Sequence, residues 1–177
     1  MARLPFADRR EAGALLGEAV RQRLTGREAV VLGLPRGGVP VAYEVAAALG
    51  APLDVFVVRK LGVPGQEELA LGAIASGGVQ VLNEDLVREL GIGPEAIARI
   101  AEREQGELER REHLYRDGRA PVEVRGRHAV VVDDGMATGA TMRAAVLALR
   151  EHGPASITVA VPVAAEDTRD MFHRLAD

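Results

Sequence analysis

The chain has 177 residues, 47% of them apolar and 27% charged, with a net charge of -4 and no cysteine. That is length enough for one domain with a substantial core, and the missing cysteines exclude a disulfide framework, a thiol nucleophile and a zinc–thiolate site. The acidic balance and the 3% aromatic content argue against nucleic acid as a partner, since that partner is met by broad positive potential or by stacking platforms.

Met1-Ala2-Arg3-Leu4-Pro5-Phe6 runs directly into Asp8-Arg9-Arg10-Glu11, with no apolar stretch to act as a secretory signal. No segment approaches the roughly 18 apolar residues of a membrane span. The expectation is a soluble cytoplasmic protein with no membrane partner. Apolar groups at Leu15, Leu16, Ala19, Val20 and Leu24 predict a helix over about 8–24. Glu28–Leu34 reads as a buried strand, Val39–Gly50 as a helix opened by proline and closed by glycine, and Pro52–Val58 as a second strand.

Lys60-Leu61-Gly62-Val63-Pro64-Gly65-Gln66 is rich in loop signals. Leu69–Ala75 and Val79–Leu82, joined by Ser76-Gly77-Gly78, predict a hairpin. A short helix starting at Asn83 or Asp85 stops at Gly91, and Pro94 opens a long charged helix to about Arg116. That helix carries the i,i+4 pairs Glu95–Arg99, Glu107–Arg111 and Glu112–Arg116, and a narrow apolar stripe at Ile97, Ala101, Leu108 and Tyr115. The stripe needs a cover, either the chain's own domain or a second copy in a homodimer. Residues 83–118 together read as a helical insertion within a single domain spanning 1–177. His128–Asp133 is the clearest buried strand, followed by a helix at about Ala140–His152, a strand at Ser156–Ala164 and a last helix. His113, His128, His152 and His173 show no metal-ligand spacing and read as surface or element-end residues.

Strands alternating with helices predict an α/β fold with an open, mostly parallel twisted sheet covered on both faces. Ligands in such sheets sit beyond the carboxyl ends of the strands, which selects Pro35–Gly38, Arg59–Gly65 and Asp133–Thr141. The last is the most distinctive. A buried strand delivers Asp133 and Asp134 to its tip, the loop Gly135-Met136-Ala137-Thr138-Gly139 follows, and a helix begins at Ala140-Thr141. Loop amides and a helix N-terminus make a nest for a phosphate monoester, with Thr138 and Thr141 as hydroxyl donors. The tandem carboxylates suit sugar hydroxyls, a metal-bound sugar or developing positive charge. Helix-capping aspartates are the plainer reading, but two in tandem before a small-residue loop exceed it. No lysine follows Gly139, so this is not a Walker loop.

This run, Val130-Val131-Val132-Asp133-Asp134-Gly135-Met136-Ala137-Thr138-Gly139-Ala140-Thr141, resembles the signature by which type I phosphoribosyltransferases bind 5-phosphoribosyl-1-pyrophosphate (PRPP). The resemblance extends over about 28–164. Gly33-Leu34-Pro35-Arg36-Gly37-Gly38 is similar to the family's pyrophosphate loop, in which glycines admit backbone amides and Arg36 supplies donors; the resemblance implies a cis Pro35–Arg36 peptide. Val58-Arg59-Lys60-Leu61-Gly62-Val63-Pro64-Gly65 is similar to the mobile catalytic loop of adenine-type and orotate-type members. It implies Arg59 and Lys60 on the leaving pyrophosphate and a lid from Leu61 to about Glu68.

The implied activity is Mg²⁺-dependent transfer of phosphoribose from PRPP to a small nitrogenous acceptor, with Asp133, Asp134 and Lys60 catalytic. Asp133 and Asp134 are the implied, indirect metal contacts. Arg36, Gly37, Gly38, Arg59, Lys60 and the run Asp133–Thr141 are the implied PRPP contacts. Ala137 stands where members acting on 6-oxopurines carry an aspartate, which argues against those bases. An acceptor-binding hood could lie beyond Asp177. A PRPP- or nucleotide-sensing domain without turnover is the alternative; a sugar-phosphate hydrolase is disfavoured, since no separate nucleophile arrangement is visible.

Overall fold

The structure is a computed structural model that describes residues 5–177; the part of the N-terminal reading that concerns Met1–Leu4 lies outside them. In chain order the elements are α1 (Arg9–Arg23), β1 (Ala29–Gly33), α2 (Gly38–Leu49), β2 (Leu53–Val55), β3 (Val58–Val63), β4 (Gln66–Ala75), β5 (Val79–Leu82), α3 (Glu84–Glu89), α4 (Pro94–Arg116), β6 (His128–Val132), α5 (Ala140–Arg150), β7 (Ser156–Ala160) and α6 (Glu166–Leu175).

Four strands form a parallel sheet in the order β2-β1-β6-β7, as the alternating pattern predicts. Its two central strands are almost wholly buried on both sides, and period 2 sorts their residues. Val30, Leu32, Ala129 and Val131 join Met142, Ala145 and Leu149 of α5 and Phe172 of α6 in one core. Val31, Val130 and Val132 join Val20 of α1 and Val41, Ala42 and Val45 of α2 in the other. Both strands that carry the proposed ligand loops, β1 and β6, are therefore central and gripped from two faces.

Two sequence expectations need correction. Pro52–Val58 is not one strand: β2 ends at Val55 and the chain changes sheets. The Phe56 amide still bonds Gly33 of β1, whereas the Val57 amide bonds the Ser76 hydroxyl beside β4. Phe56 enters the α5-side core, and Val57 enters a third core beneath α4. The loop-rich stretch 60–66 is likewise mostly strand. β3 and β4 pair antiparallel around a Pro64-Gly65 turn, and β5 extends them into a three-stranded sheet. Gly65 takes φ +80°, so a Pro-then-Gly pair makes a tight turn rather than an open loop. Register shifts between Leu61, Gly62 and Val63 mark an irregularity where Gly62 lies flat against the Glu67 backbone.

Residues 83–118 form α3 and α4, with Asn83 capping α3 and Pro94 opening α4 as expected. The buried residues of α4 are Ile100, Ala101 and Leu108, which pack on Val57, Leu61, Leu71 and Ile74, with Tyr115 partly buried beside them. The chain's own β3–β4 hairpin covers this part of the stripe. Glu107–Arg111 and Glu112–Arg116 pair as the spacing predicts. Arg116 also meets buried Asp54 of β2 at 2.9 Å, and the other Asp54 oxygen accepts the Val122 amide. That contact ties the end of α4 to the edge of the parallel sheet.

Candidate active site

The five residues of β6 are all buried, so the strand has one hydrated end, at Asp133 and Asp134. Oδ1 of Asp133 accepts the Asp134 amide at 2.8 Å, which turns the first carboxylate back along the chain. Burial pushes the Asp133 carboxyl up to about 6; the bond from the Asp134 amide opposes the rise and the neighbouring Asp134 charge adds to it. The Asp134 side chain is 33% exposed. Its Oδ2 accepts both Nε and Nη2 of Arg9, at 2.9 and 2.8 Å.

The turn between β1 and α2 lies directly against these acids. A Cβ on Gly37 would sit 2.2 Å from Asp134 Oδ2, and a Cβ on Gly38 would sit 2.7 Å from the Val132 carbonyl and 2.9 Å from Asp133 Cα. Any side chain at either position would occupy the acid pair's own volume. The Pro35–Arg36 peptide is cis, as the resemblance implies. The Gly38 amide is spent on the Leu34 carbonyl. Among the described residues, the Arg36 and Gly37 amides donate to no backbone acceptor, and the Arg36 side chain is exposed.

The loop after the acids is braced from behind. Met136 donates its amide to Val163, accepts from Ala165 and buries its side chain in the α5-side core, so it acts as an anchor. The Thr168 hydroxyl of α6 donates to the Ala137 carbonyl. Gly139 takes φ +74°, and a Cβ there would strike Phe172 and Thr168 at 2.7 and 2.8 Å. With the loop fixed from beneath, Ala137, Thr138, Ala140 and Thr141 are left exposed at the start of α5. Among the described residues the Ala137, Thr138 and Gly139 amides take no backbone acceptor. The Ala140 amide lies 3.4 Å from the Thr138 hydroxyl.

Arg59 and Lys60 are neighbours on β3 and so face opposite ways. Arg59 turns toward α4, where Nη2 and Nε meet Glu104 Oε2 at 2.6 and 3.0 Å, and Glu104 is 12% exposed. Lys60 lines a cavity of about 630 Å³ together with Thr138, Thr141, Arg143, Glu84 and Asp85. The two cations therefore do not converge in this state. A cavity of about 660 Å³ lies elsewhere, between α1, α6 and the open edge of β7; Asp133 and Asp134 line neither of these two cavities. Among the described residues no cluster of three or more acids and histidines suits a metal ion; the β6 tip itself presents two carboxylates, Asp133 and Asp134.

Three contributors were not read from sequence: Arg9, Glu104 and Thr168. Each acts through a partner 31 or more positions away, with Arg9 and Asp134 separated by 125 and Arg59 and Glu104 by 45. No local pattern marks such pairs.

A family model described as "Phosphoribosyl transferase domain" matches residues 8–172. Over 172 residues the chain is 51% identical to a protein of Mycobacterium tuberculosis (strain CDC 1551 / Oshkosh) that bears the name "Putative phosphoribosyl transferase", covering 97% of this chain and 39% of that protein. The chain thus spans well under half the length of that relative. The solved structure of TT1426 from Thermus thermophilus matches with a TM-score of 0.84 at 46% identity, over 97% of this chain and 81% of that one. A hypoxanthine phosphoribosyltransferase from Staphylococcus aureus shares the fold, with a TM-score of 0.52 at 10% identity, over 91% of this chain and 65% of its own.

Proposed function

This chain belongs to the phosphoribosyl transferase domain family, and from that premise we propose that it binds PRPP and transfers the phosphoribosyl group to a nitrogen nucleophile. The observation that carries the reading is the contact of Gly37 and Gly38 with the Asp133–Asp134 tip, which joins a diphosphate-sized loop to a pair of sugar-binding acids. In this reading the 5'-phosphate lies on the Ala137, Thr138 and Gly139 amides and the Thr138 and Thr141 hydroxyls. Pyrophosphate lies on the Arg36 and Gly37 amides and the Arg36 guanidinium. Lys60 approaches the phosphate-loop side of the ligand, and Arg59 joins the site only by leaving Glu104.

The bond from the anomeric carbon to pyrophosphate oxygen breaks with its electron pair leaving on oxygen. The acceptor nitrogen forms the new bond to that carbon and loses its proton to solvent. Between the two the sugar carries oxocarbenium character, and the negative charge of Asp133 and Asp134 stabilises it while holding the ribose hydroxyls. Two carboxylates fit Mg²⁺, which commonly takes one or two protein carboxylates and completes its shell with substrate oxygens and water. Bound there with PRPP, the ion would neutralise charge on the departing pyrophosphate. Ala137 offers no carboxylate to a purine ring, which favours acceptors other than 6-oxopurines.

The test is pyrophosphate release from PRPP and Mg²⁺ with a panel of nucleobases, orotate and anthranilate. Asp134→Asn should lower turnover about 10²–10³-fold, the size of one preorganised electrostatic contact, while the fold persists. Near-normal turnover in that variant refutes the assignment. The parked Arg59 favours a second reading, a domain that senses PRPP without turning it over; saturable PRPP binding with a silent acceptor panel selects it.

A further inference from the structure

Arg9 has no role in the reading above, yet the fold takes pains to place it. Helices α1 and α2 approach so closely that a Cβ on Gly13 would lie 2.9 Å from Glu44 Cβ, and one on Gly17 would lie 2.8 Å from Ala48 Cβ. These glycines sit one turn apart on α1 and fix its register against α2. Arg10 also reaches Glu44 at 3.5 Å, a surface pair that adds little to this docking. Asp8 caps the helix, accepting the Arg10 and Glu11 amides at 2.9 Å each, so Arg9 is the first residue of a stopped, docked helix. Its guanidinium is carried to the tip of β6, and both bonds it makes there fall on one oxygen, Asp134 Oδ2. The same oxygen is the atom nearest the missing Gly37 side chain.

Arg9, Asp134 and Gly37 thus meet at one point, where the acid pair adjoins the turn that would take a diphosphate. We propose that Arg9 is a substrate-binding residue for the pyrophosphate group of PRPP, an inference that rests on the phosphoribosyl transfer reading. In the free protein the guanidinium occupies Asp134. When ribose hydroxyls claim that carboxylate, the guanidinium is released beside the Gly37 turn and takes a pyrophosphate oxygen instead. The exchange trades one anionic partner for another, so the cation is never stranded and Asp134 is never left without a counter-group. Arg9 is 60% exposed, which leaves it room to swing. A guanidinium also suits the task, because its fork can hold two diphosphate oxygens at once.

The test compares two ligands that differ in the group Arg9 is assigned to. PRPP carries the diphosphate; ribose 5-phosphate carries the same sugar and 5'-phosphate without it. Binding of each, and of inorganic pyrophosphate, is measured calorimetrically with Mg²⁺ for the natural chain and for Arg9→Ala, Arg9→Lys and Arg10→Ala. Arg9→Ala should weaken PRPP and pyrophosphate about 10-fold or more and leave ribose 5-phosphate within about 2-fold. Arg9→Lys should recover part of the loss, and Arg10→Ala should change none of the three. Equal weakening of all three ligands by Arg9→Ala would show that the residue acts by shaping Asp134, and overturns the proposal. Unchanged or tighter PRPP binding overturns it as well. If the natural chain binds neither PRPP nor ribose 5-phosphate, the functional reading itself has failed and the Arg9 proposal falls with it.

Discussion

The tip of β6 and the β3–β4 hairpin both border the proposed site, and their charged groups are held in place by different means. The tip is fixed by exclusion: its strand is buried throughout, two glycines leave no volume around the acids, and Met136 and Thr168 lock the loop that follows. The hairpin packs on α4 through Leu61, Leu71 and Ile74, but the arginine it carries toward the site is placed by charge. Arg59 pairs with Glu104 of α4, α4 is itself tied to β2 by Arg116 and Asp54, and the turn residues beyond Val63 are exposed. Steric packing gives one geometry or none, whereas ion pairs can change partners. The rigid region suits the invariant part of the ligand, a phosphorylated pentose, and the exchangeable region suits a step that must open and close.

The hardest blow to this contrast is Asp54→Ala. It removes the partner of Arg116 that lies outside α4, leaving only Glu112 on that mostly buried guanidinium, and it leaves the Val122 amide without an acceptor. With Glu112 still on Arg116, the cost should lie at the low end of the range for a broken buried pair, about 3 kcal/mol, read as a shift in the urea unfolding midpoint. The fraction still folded should bind PRPP with its original affinity; a loss below about 1 kcal/mol would mean that α4 is held by packing alone. Next in size is Gly37→Ala. The added methyl collides with Asp134, so PRPP affinity should fall at least about 10-fold while stability drops by about 1–3 kcal/mol, the usual range for overpacking. Unchanged affinity would show that the tip can yield, and the contrast would dissolve.

The smallest effect is in pH. Because the Asp133 carboxyl is raised from 3.8 to about 6, the folded chain holds a proton over that interval that the unfolded chain has released. Stability should therefore fall as pH rises through the interval, and lie flat above it. PRPP affinity should move the other way and strengthen toward neutral pH, as the carboxylate forms. Asp133→Asn should flatten both slopes, measured by thermal unfolding and by titration calorimetry from about pH 4.5 to about pH 8. An unaltered stability profile in that variant would place the titration elsewhere.

The contrast also explains what could be read from sequence. The tip is legible because its chemistry is local: strand, acids, loop and helix start follow one another within Val130–Thr141, and the structure keeps that order. The four parallel strands were legible for the same reason, as short apolar runs between helices. The hairpin was obscured because Gly62, Pro64 and Gly65 look like loop punctuation, and here they serve an irregular register and a two-residue turn. The change of sheets at Phe56–Val57 lies inside one apolar run and depends on Ser76, which no periodicity reveals. Because β3 was not read as a strand, the alternation that separates Arg59 from Lys60 was hidden with it, and the location of Glu104 needed three dimensions.

The bracing of the 135–139 loop has a bearing on how the protein is made. On the ribosome, the glycine turn and both acids emerge well before Ala165 and Thr168, whose bonds to Met136 and Ala137 brace the loop. A nascent chain halted between Thr141 and Ala165 would already possess every ligand-facing group of that loop and still lack its backing. Pocket maturation thereby waits until α6 has emerged and closed behind the loop.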